Sequence, residues 1–271
     1  MSSGVTFGHA VVLVIHAHPD DEVFATGAAT IAARSAGASV HLRLFTGGEF
    51  TSDGDLAGAR SRKERRLEKS VGLLGIDDWA YLTEPGRWVD TPDDLPRTIA
   101  AARVEDLVPP VVEALDSLVP DIVLTVGDDG LTGHPDHVAC HAAVREGIAA
   151  SGRRPVLLGA VLDEQAVRRA YKAAESTLGR PVGSGRVKGK VIDESVITVT
   201  GPPGTAHRRR RALDAYIPGL GTSPLAALDQ AGGDGTLLRF VMDIAGWEAD
   251  RFAPAPREHG SGAPARTLSS P

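Results

Sequence analysis

Two short clusters of imidazole and carboxylate side chains each follow a run of apolar residues. The first is HAHPDDE at 16–22, directly after AVVLVI at 10–15. The second is GHPDH at 133–137, after DIVLTV at 121–126 and the glycine-rich segment GDDGLTG. Histidine nitrogens and carboxylate oxygens bind divalent metals, and the same groups accept and donate protons. We therefore expect a metal site formed by two imidazoles and a carboxylate, with acid–base groups beside it.

The spacing within each cluster limits which side chains can share a centre. Pro19 fixes the backbone after His18, so that His18 and one following aspartate can face a metal while the other aspartate faces a bound ligand. His134 and His137 are three residues apart at the start of a predicted helix and therefore share a face. Each aspartate alone could equally be an ordinary helix cap. Two clusters at two strand ends favour a site, but spacing leaves open which aspartate and which histidine bind the metal.

The clusters lie in a regular alternation of strand and helix patterns. Strands are predicted at 10–15, 40–45, 79–82, 121–126, 156–162 and 191–200, and helices at 23–36, 60–74, 135–150, 164–178 and 208–216. A further helix at 95–118 is expected to break or kink at Pro109 and Pro110. Residues 237–244 fit either type. The alternation predicts a Rossmann-like, doubly wound, mainly parallel sheet with helices on both faces and the site at the carboxyl ends of the strands.

Length and composition define the class of protein further. A chain of 271 residues is predicted to be one domain over 1–252, followed by a Pro/Gly/Ser-rich, disordered tail at 253–271. The formal charge of −6 speaks against nucleic acid as the partner. The single cysteine excludes an intramolecular disulfide and a cysteine-rich zinc site.

Other classes lack their signatures in this sequence. No apolar run reaches the ~20 residues that cross a bilayer, and the N-terminus has no positive region before its short apolar stretch, so we expect no membrane insertion and a cytoplasmic location. Neither a Gly-x-Gly-x-x-Gly turn, a Walker motif nor a Gly-x-Ser-x-Gly elbow is present. Nucleotide-binding proteins and serine hydrolases are therefore disfavoured.

AHPDDE after the first strand together with GHPDH after a later one resembles the PIG-L / LmbE-like de-N-acetylases. These are zinc hydrolases that remove acetyl groups from N-acetylglucosamine-type substrates. The resemblance implies one Zn²⁺ per chain, with Fe²⁺ as the alternative, and a metal-activated water as the nucleophile. The implied metal ligands are His18, Asp21 and His137, and the implied catalytic residues are Asp20 as general base and His134, oriented by Asp136, as the group that stabilises the oxyanion or protonates the departing amine.

The implied substrate is a small-molecule amino-sugar glycoconjugate, and a homo-oligomer remains open. Relatives that act on mycothiol precursors have a tyrosine where this chain has Thr132. The family's sugar-binding arginine falls at Lys63, beside Arg62. We expect Arg62, Lys63 and Thr132 at the substrate site and a substrate that differs from those of the relatives.

Three alternatives use the same residues. An amidase of a larger amide, such as a thiol-sugar conjugate, would share the whole site. Two histidines and a carboxylate also describe non-haem iron oxygenases, although those are built on a different arrangement of strands. A binding protein that had lost catalysis would have no need of Asp20 and His134, which both remain.

Overall fold

The strands form a single sheet in which five neighbouring strands run parallel. The computed structural model describes residues 6–49, 54–91, 96–228 and 233–254. Within these residues the sheet has seven strands in the order β3-β2-β1-β4-β5-β7-β6. Their bounds are β1 Val11–His16, β2 Ser39–Leu44, β3 Asp78–Tyr81, β4 Ile122–Val126, β5 Val156–Val161, β6 Ile197–Thr200 and β7 Ala249–Pro254. Strands β1 to β5 pair in parallel, while β7 is antiparallel to both β5 and β6. The predicted fold class is confirmed.

The two sequence clusters follow the two central strands of the parallel part. The chain runs outward from β1 through β2 to β3, and then returns to place β4 on the other side of β1. Adjacent strands whose connections leave in opposite directions open a crevice at their carboxyl ends, where ligands bind in such sheets. HAHPDDE begins at the last residue of β1, and GHPDH follows β4 after one short loop. The topology therefore brings both clusters to the same crevice.

Helices cover both faces of the sheet. Their bounds are α1 Asp21–Phe24, α2 Gly27–Ser35, α3 Leu56–Leu74, α4 Val104–Leu118, α5 Gly130–Gly133, α6 Pro135–Ser151, α7 Glu164–Leu178, α8 Thr205–Tyr216 and α9 Gly233–Ala245. Because side chains alternate along a strand, Val12 and Val14 of β1 point to the layer with α2, α3 and α8, and Leu13 and Ile15 to the layer with α4 and α6. All four are fully buried. β1 therefore lies in the core with both faces covered, which holds the first cluster rigidly.

Three elements differ from the sequence prediction, and a fourth, which fitted either type, is a helix. Helix α4 begins at Val104 and runs to Leu118 with both prolines inside it, so the chain does not break there. Pro109 and Pro110 lie near the helix start, and the carbonyls that lose a partner belong to the exposed residues Glu105 and Asp106. The strand expected at 191–200 is limited to 197–200, residues 237–244 belong to a helix, and β7 was not predicted.

The chain beyond 252 agrees only in part with the expected tail. Ala253 and Pro254 belong to β7, and residues 255–271 lie outside the described residues, so the tail and the single domain over 1–252 stay predictions. Among the helices of the described residues, none combines the length and the apolar character needed to cross a membrane.

Candidate metal centre and active site

The first cluster forms a tight turn between β1 and α1. The backbone N–H of His18 donates to Asp21 Oδ2 at 3.0 Å, which folds the Asp21 side chain back over the turn. Asp20 stands at the N-terminal boundary of α1 with φ 106° and ψ −23°, and its side chain makes no capping hydrogen bond. Its carboxylate instead accepts from Lys63 Nζ of α3 at 2.8 Å. The two neighbouring aspartates therefore have different partners, and Asp20 is not a helix cap.

The second cluster is positioned by the start of α6. Asp129 accepts the N–H of Leu131 at 2.9 Å and so closes the loop after β4. His134 occupies the N-cap of α6, where its Nδ1 accepts the backbone N–H of Asp136 at 3.2 Å. Because Nδ1 uses its lone pair as an acceptor, the proton of the neutral His134 ring lies on Nε2. Pro135 stands at the first helical position, where its missing N–H breaks no helical hydrogen bond.

Three side chains from the two clusters converge on one point. His137 Nε2 lies 3.2 Å from Asp21 Oδ1 and 3.3 Å from His18 Nδ1, and His18 Nδ1 lies 3.8 Å from Asp21 Oδ2. All three residues are buried. His18, Asp21 and His137 are accordingly one of two groups in the described residues whose ligand atoms are close enough to hold a metal ion.

The outward nitrogens of the two imidazoles already have partners. His18 Nε2–H donates to Asp136 Oδ2 at 3.1 Å, and His137 Nδ1–H donates to the carbonyl of Gly130 at 3.0 Å. Both neutral rings therefore present lone pairs inward, where they meet the Asp21 carboxylate with no donor between them. A buried group of acceptors is unfavourable unless a cation lies among them. Two nitrogens and a carboxylate oxygen with outward hydrogen bonds of this kind fit a zinc-type ion.

The second group of potential ligands shares His18 and adds His134 and Asp136. The Asp136 carboxylate connects this group to the rest of the protein, because its Oδ1 accepts the N–H of Ala100 at 2.9 Å. Asp136 therefore contacts His134 through its backbone N–H and contacts His18 through its carboxylate. The Asp136 contact with His18 leaves the Nδ1 lone pair of that ring for the first group.

His18, Asp21 and His137 change one another's pKa. Burial alone would lower the pKa of His18, but the carboxylates of Asp90, Asp136 and Asp21 raise it to about 10. Burial also opposes the raised pKa of His137, which comes from Asp21. In return, the two imidazoles hold the pKa of the Asp21 carboxyl far below its ordinary value in spite of burial. Without a metal, a proton supplies the positive charge that the group requires.

The residues around this group carry charge of both signs. Burial raises the pKa of Asp20, and the ammonium of Lys63 opposes that rise. Burial would lower the pKa of Lys63, but Asp20 raises it above its usual range. Burial and the nearby imidazoles of His18 and His137 lower the pKa of His134. Asp20 and Lys63 form an ion pair at 2.8 Å, and the lowered pKa of His134 favours its neutral form.

The predicted substrate residues lie in three different environments. Lys63 faces the site through its ion pair with Asp20. Arg62, the next residue on α3, is half exposed and has its guanidinium 3.5 Å from Asp55 Oδ2. Thr132 is buried within α5, two residues before His134. Sugar binding by these three residues stays a prediction.

Sequence reasoning missed two carboxylates of the site. Asp90 Oδ1 lies 3.7 Å from His18 Nε2, and the Asp90 N–H donates to Glu49 Oε2 at 3.2 Å. Glu49 is fully buried and also accepts the N–H of Gly47 at 3.1 Å. Both follow strands β2 and β3, whose carboxyl ends lie at the same edge as those of β1 and β4. Neither residue belongs to a motif, so their place after a strand was the one sequence feature that pointed to the site.

The fold and the site define a class of α/β proteins with a His/Asp group that could hold a metal ion at the carboxyl edge of a parallel sheet. The model of the PIG-L family, described as GlcNAc-PI de-N-acetylase, matches residues 13–148, which is half of the chain and includes both clusters. The chain belongs to this family.

Curated relatives match over a similar region. The 1D-myo-inositol 2-acetamido-2-deoxy-alpha-D-glucopyranoside deacetylase of Kineococcus radiotolerans is 33% identical over an alignment of 164 residues, and the match covers 52% of this chain and 45% of the relative. The protein of the same name from Geodermatophilus obscurus is 32% identical over 168 residues, covering 55% of this chain and 57% of the relative. The chain thus spans about half the length of the curated relatives that it matches.

Solved structures share the fold at low sequence identity. The A40926 pseudoaglycone deacetylase Dbv21 aligns with a TM-score of 0.56 at 19% identity, over 91% of this chain and 97% of that one. The zinc-inhibited form of teicoplanin deacetylase Orf2 aligns with a TM-score of 0.56 at 16% identity, over 92% and 100%. The 4-carboxy-2-hydroxymuconate hydratase GalB of Pseudomonas putida aligns with a TM-score of 0.55 at 12% identity, over 94% and 100%. Since this fold serves more than one reaction, the reaction of this chain must be argued from its site.

Proposed function

We propose that this protein is a zinc-dependent hydrolase that removes the acetyl group from the nitrogen of an N-acetylglucosamine-type sugar in a glycoconjugate. One observation carries the proposal. His18 Nδ1, His137 Nε2 and the Asp21 carboxylate form a buried group of acceptors that requires a cation. Asp20 is the neighbour of Asp21 in the turn, and the ring of His134 lies 5.1 Å from that of His137. Family membership and the names of the curated relatives support the choice of an acetamido sugar.

His18, Asp21 and His137 would hold the metal ion. An ion bound there would polarise the amide carbonyl and lower the pKa of a water molecule toward ~7. Zinc suits two imidazoles and one carboxylate, and ferrous iron is the alternative that such ligands also accept. The hydrogen bonds from His18 to Asp136 and from His137 to Gly130 would keep both rings oriented.

Asp20 is the general base of this proposal. Lys63 holds its Oδ2, and Oδ1 is the atom that we assign to take the proton from the attacking water. As the C–N bond breaks, Asp20 returns that proton to the sugar nitrogen. One water is consumed, and acetic acid and a free amine are formed. The acid then passes its remaining proton to the amine, so that acetate and an ammonium group are released and both atoms and charge balance.

His134 is assigned to the carbonyl oxygen. Its Nδ1 accepts the Asp136 N–H, so the proton lies on Nε2 and can be donated in a hydrogen bond to the oxygen as negative charge develops. One such preorganised donor contributes ~3 kcal/mol to the stability of the transition state. Asp136 keeps the ring in the required tautomer through this backbone contact.

The proposal is tested by measuring bound metal and released acetate together. Wild-type protein is expected to hold about one zinc per chain and to release acetate from an N-acetylglucosaminide. The double variant His18→Ala/His137→Ala should lose both. His41→Ala is the matched control, because His41 pairs with Asp78 on β3 outside the site. Metal and activity retained in the double variant would contradict the proposal.

A substrate panel distinguishes deacetylation from neighbouring activities. It includes the free sugar and inositol-, lipid- and peptide-linked N-acetylglucosaminides, each with an acetyl and with a longer acyl chain. Preference for the acetyl forms is expected. Cleavage only of a larger amide would change the proposed function to an amidase that uses the same site. Oxygen consumption by iron-loaded protein without acetate release would replace it by an oxygenase.

A further inference from the structure

The backbone of Asp20 has an unfavourable conformation. Its φ of 106° lies in the left-handed region, which side chains other than glycine rarely adopt. Such a conformation persists only where surrounding contacts enforce it, and these contacts are common at functional sites. The peptide on either side of Asp20 decides where its carboxylate points. The groups that enforce this conformation therefore also aim the proposed base.

Glu22 enforces the conformation from within the same turn. It is fully buried, and its Oε2 accepts the N–H of Asp20 at 2.8 Å. Its Oε1 accepts the hydroxyl of Ser70 from α3 at 2.6 Å and the hydroxyl of Tyr216 from α8 at 2.6 Å. The three acceptor contacts join α1, α3 and α8 at one carboxylate. Two distant helices thereby fix the orientation of the side chain that holds the Asp20 backbone.

Tyr216 contributes a second contact, on the side-chain end of Asp20. The ammonium of Lys63 lies 5.4 Å from the centroid of the Tyr216 ring and donates to Asp20 Oδ2 at 2.8 Å. Tyr216 is therefore one contact away from both the N–H and the carboxylate of Asp20. Its hydroxyl acts through Glu22, and its ring acts through Lys63. The aromatic side chain itself is buried.

We propose that Tyr216 and Glu22 are positioning residues that hold Asp20 in its left-handed conformation and so direct the base at the substrate amide. This inference rests on the proposed role of Asp20. It adds to the site a residue of α8, which follows the part of the chain that the family model matches, residues 13–148. The proposed metal ligands are held by contacts that do not involve Tyr216 or Glu22, since Asp21 contacts the His18 N–H and His137. Loss of the Tyr216 hydroxyl should therefore affect Asp20 and spare the metal.

The variant Tyr216→Phe tests the inference, because it deletes the hydroxyl and keeps the ring under Lys63. We expect kcat for acetate release to fall about tenfold, equivalent to ~1.4 kcal/mol, with KM within about twofold and metal content unchanged. Tyr81→Phe is the matched control: Tyr81 also donates its hydroxyl to a glutamate of α3, Glu64, at 3.0 Å, but the N–H of Asp20 is held by Glu22. This control should keep wild-type kcat and KM.

Two results would overturn the inference. One is a Tyr216→Phe protein with wild-type kcat. The other is a parallel fall of kcat and metal content in that variant, which would indicate a general structural role. The ring is tested by Tyr216→Leu, which should lower kcat further than Tyr216→Phe because it also removes the contact with Lys63.

Crystal structures make the test independent of the assigned reaction. In Glu22→Leu or in Tyr216→Phe, residue 20 is expected to leave φ near 106° or to lose its contact with Lys63. If both variants retain that backbone angle and that contact, the positioning role is wrong even if the wild type is an active deacetylase. If wild-type protein releases no acetate, the proposed function is wrong, and the movement of Asp20 still decides the positioning role.

Discussion

Replacing Arg209 by methionine is expected to destabilise the fold by about 6 kcal/mol or more, because it leaves a buried carboxylate without its cation and three carbonyls without their donor. Arg209 lies on α8 and is fully buried. Its Nη2 is 2.6 Å from Oδ1 of Asp250, which is nearly as inaccessible. Burial raises the pKa of Asp250, and the guanidinium opposes that rise. The pair therefore stabilises the protein only while both charges are present.

The other hydrogen bonds of Arg209 connect this pair to helix α1, which follows the turn that carries His18 and Asp20. Its Nε donates to the carbonyl of Val23 at 2.7 Å, its Nη2 to that of Phe24 at 2.9 Å, and its Nη1 to that of Trp247 at 3.1 Å. Val23 and Phe24 are the last residues of α1, and the side chain of Arg209 replaces the helical N–H groups that these carbonyls lack. The packing is close, since a Cβ on Gly27 would lie 2.9 Å from Nε.

The magnitude follows from these contacts. Removing one partner of a buried ion pair costs about 3–5 kcal/mol, and each buried carbonyl that loses its donor costs about 1 kcal/mol or more. Methionine keeps much of the apolar stem, so little packing is lost. The total approaches the whole stability of a typical domain, which is ~5–15 kcal/mol. Arg209→Met should therefore be barely folded at room temperature.

Urea unfolding followed by far-UV circular dichroism measures this loss. Arg209→Met/Asp250→Leu, which removes both charges, should recover about 2 kcal/mol or more of it. Arg211→Met is the control, because Arg211 is exposed on the same helix and its loss should stay within about 0.5 kcal/mol. An Arg209→Met protein that loses less than about 1 kcal/mol at an unchanged m-value would refute the reasoning.

Three further substitutions test the site. Asp136→Asn removes the charged acceptor of the His18 ring and should weaken zinc binding about tenfold in a competitive chelator titration; unchanged affinity would contradict that role. Lys63→Met should lower kcat for acetate release about tenfold through Asp20, whereas a rise of KM alone would indicate that the ammonium binds the sugar. Gly130→Ala should lower the free energy of unfolding by about 2 kcal/mol more than Gly152→Ala does, and it should also lower the zinc content. Both glycines have φ near +68°, but of the two only Gly130 has neighbouring atoms, at 2.9 to 3.1 Å, that an added Cβ would meet. Equal melting temperatures of the two alanine variants would argue against it.

The parallel part of the sheet could be predicted because its strands are buried on both faces. A short, continuous apolar run such as that of β1 or β4, rich in β-branched residues, is typical of a strand with no solvent-facing side. β7 was missed for the opposite reason: ADRFAP at 249–254 is short and contains charged residues, and it becomes a strand by pairing with β5 and β6. The helix at α4 was expected to break or kink because proline removes a hydrogen bond and crowds an earlier carbonyl. Here the affected carbonyls belong to the exposed residues Glu105 and Asp106, and the helix continues to Leu118.

The convergence of the two clusters could also be anticipated, whereas the choice of His18, Asp21 and His137 within them came from the family resemblance. Parallel strands end at one edge, so polar residues that follow adjacent strands meet there whatever their separation in the sequence. Asp90 and Glu49 also follow strands that end at this edge, but their position alone does not single them out among the other polar residues of their loops. Their loops have no periodicity, and the contacts that place them, such as the Asp90 N–H with Glu49, depend on the folded structure.

The different proposed roles of Asp20 and Asp21 could not be predicted from the residues of the motif alone. Two adjacent carboxylates of one type carry no internal sign of their roles. Asp21 faces the two imidazoles because the N–H of His18 and the ring of His137 hold its carboxylate. Asp20 has a positive φ and a different set of partners. The contacts that stabilise this arrangement come from Lys63, 43 residues further along the chain, and through Glu22 from Tyr216, which is 194 residues beyond that glutamate. The motif therefore supplies two chemically equivalent aspartates, and helices α3 and α8 make them different.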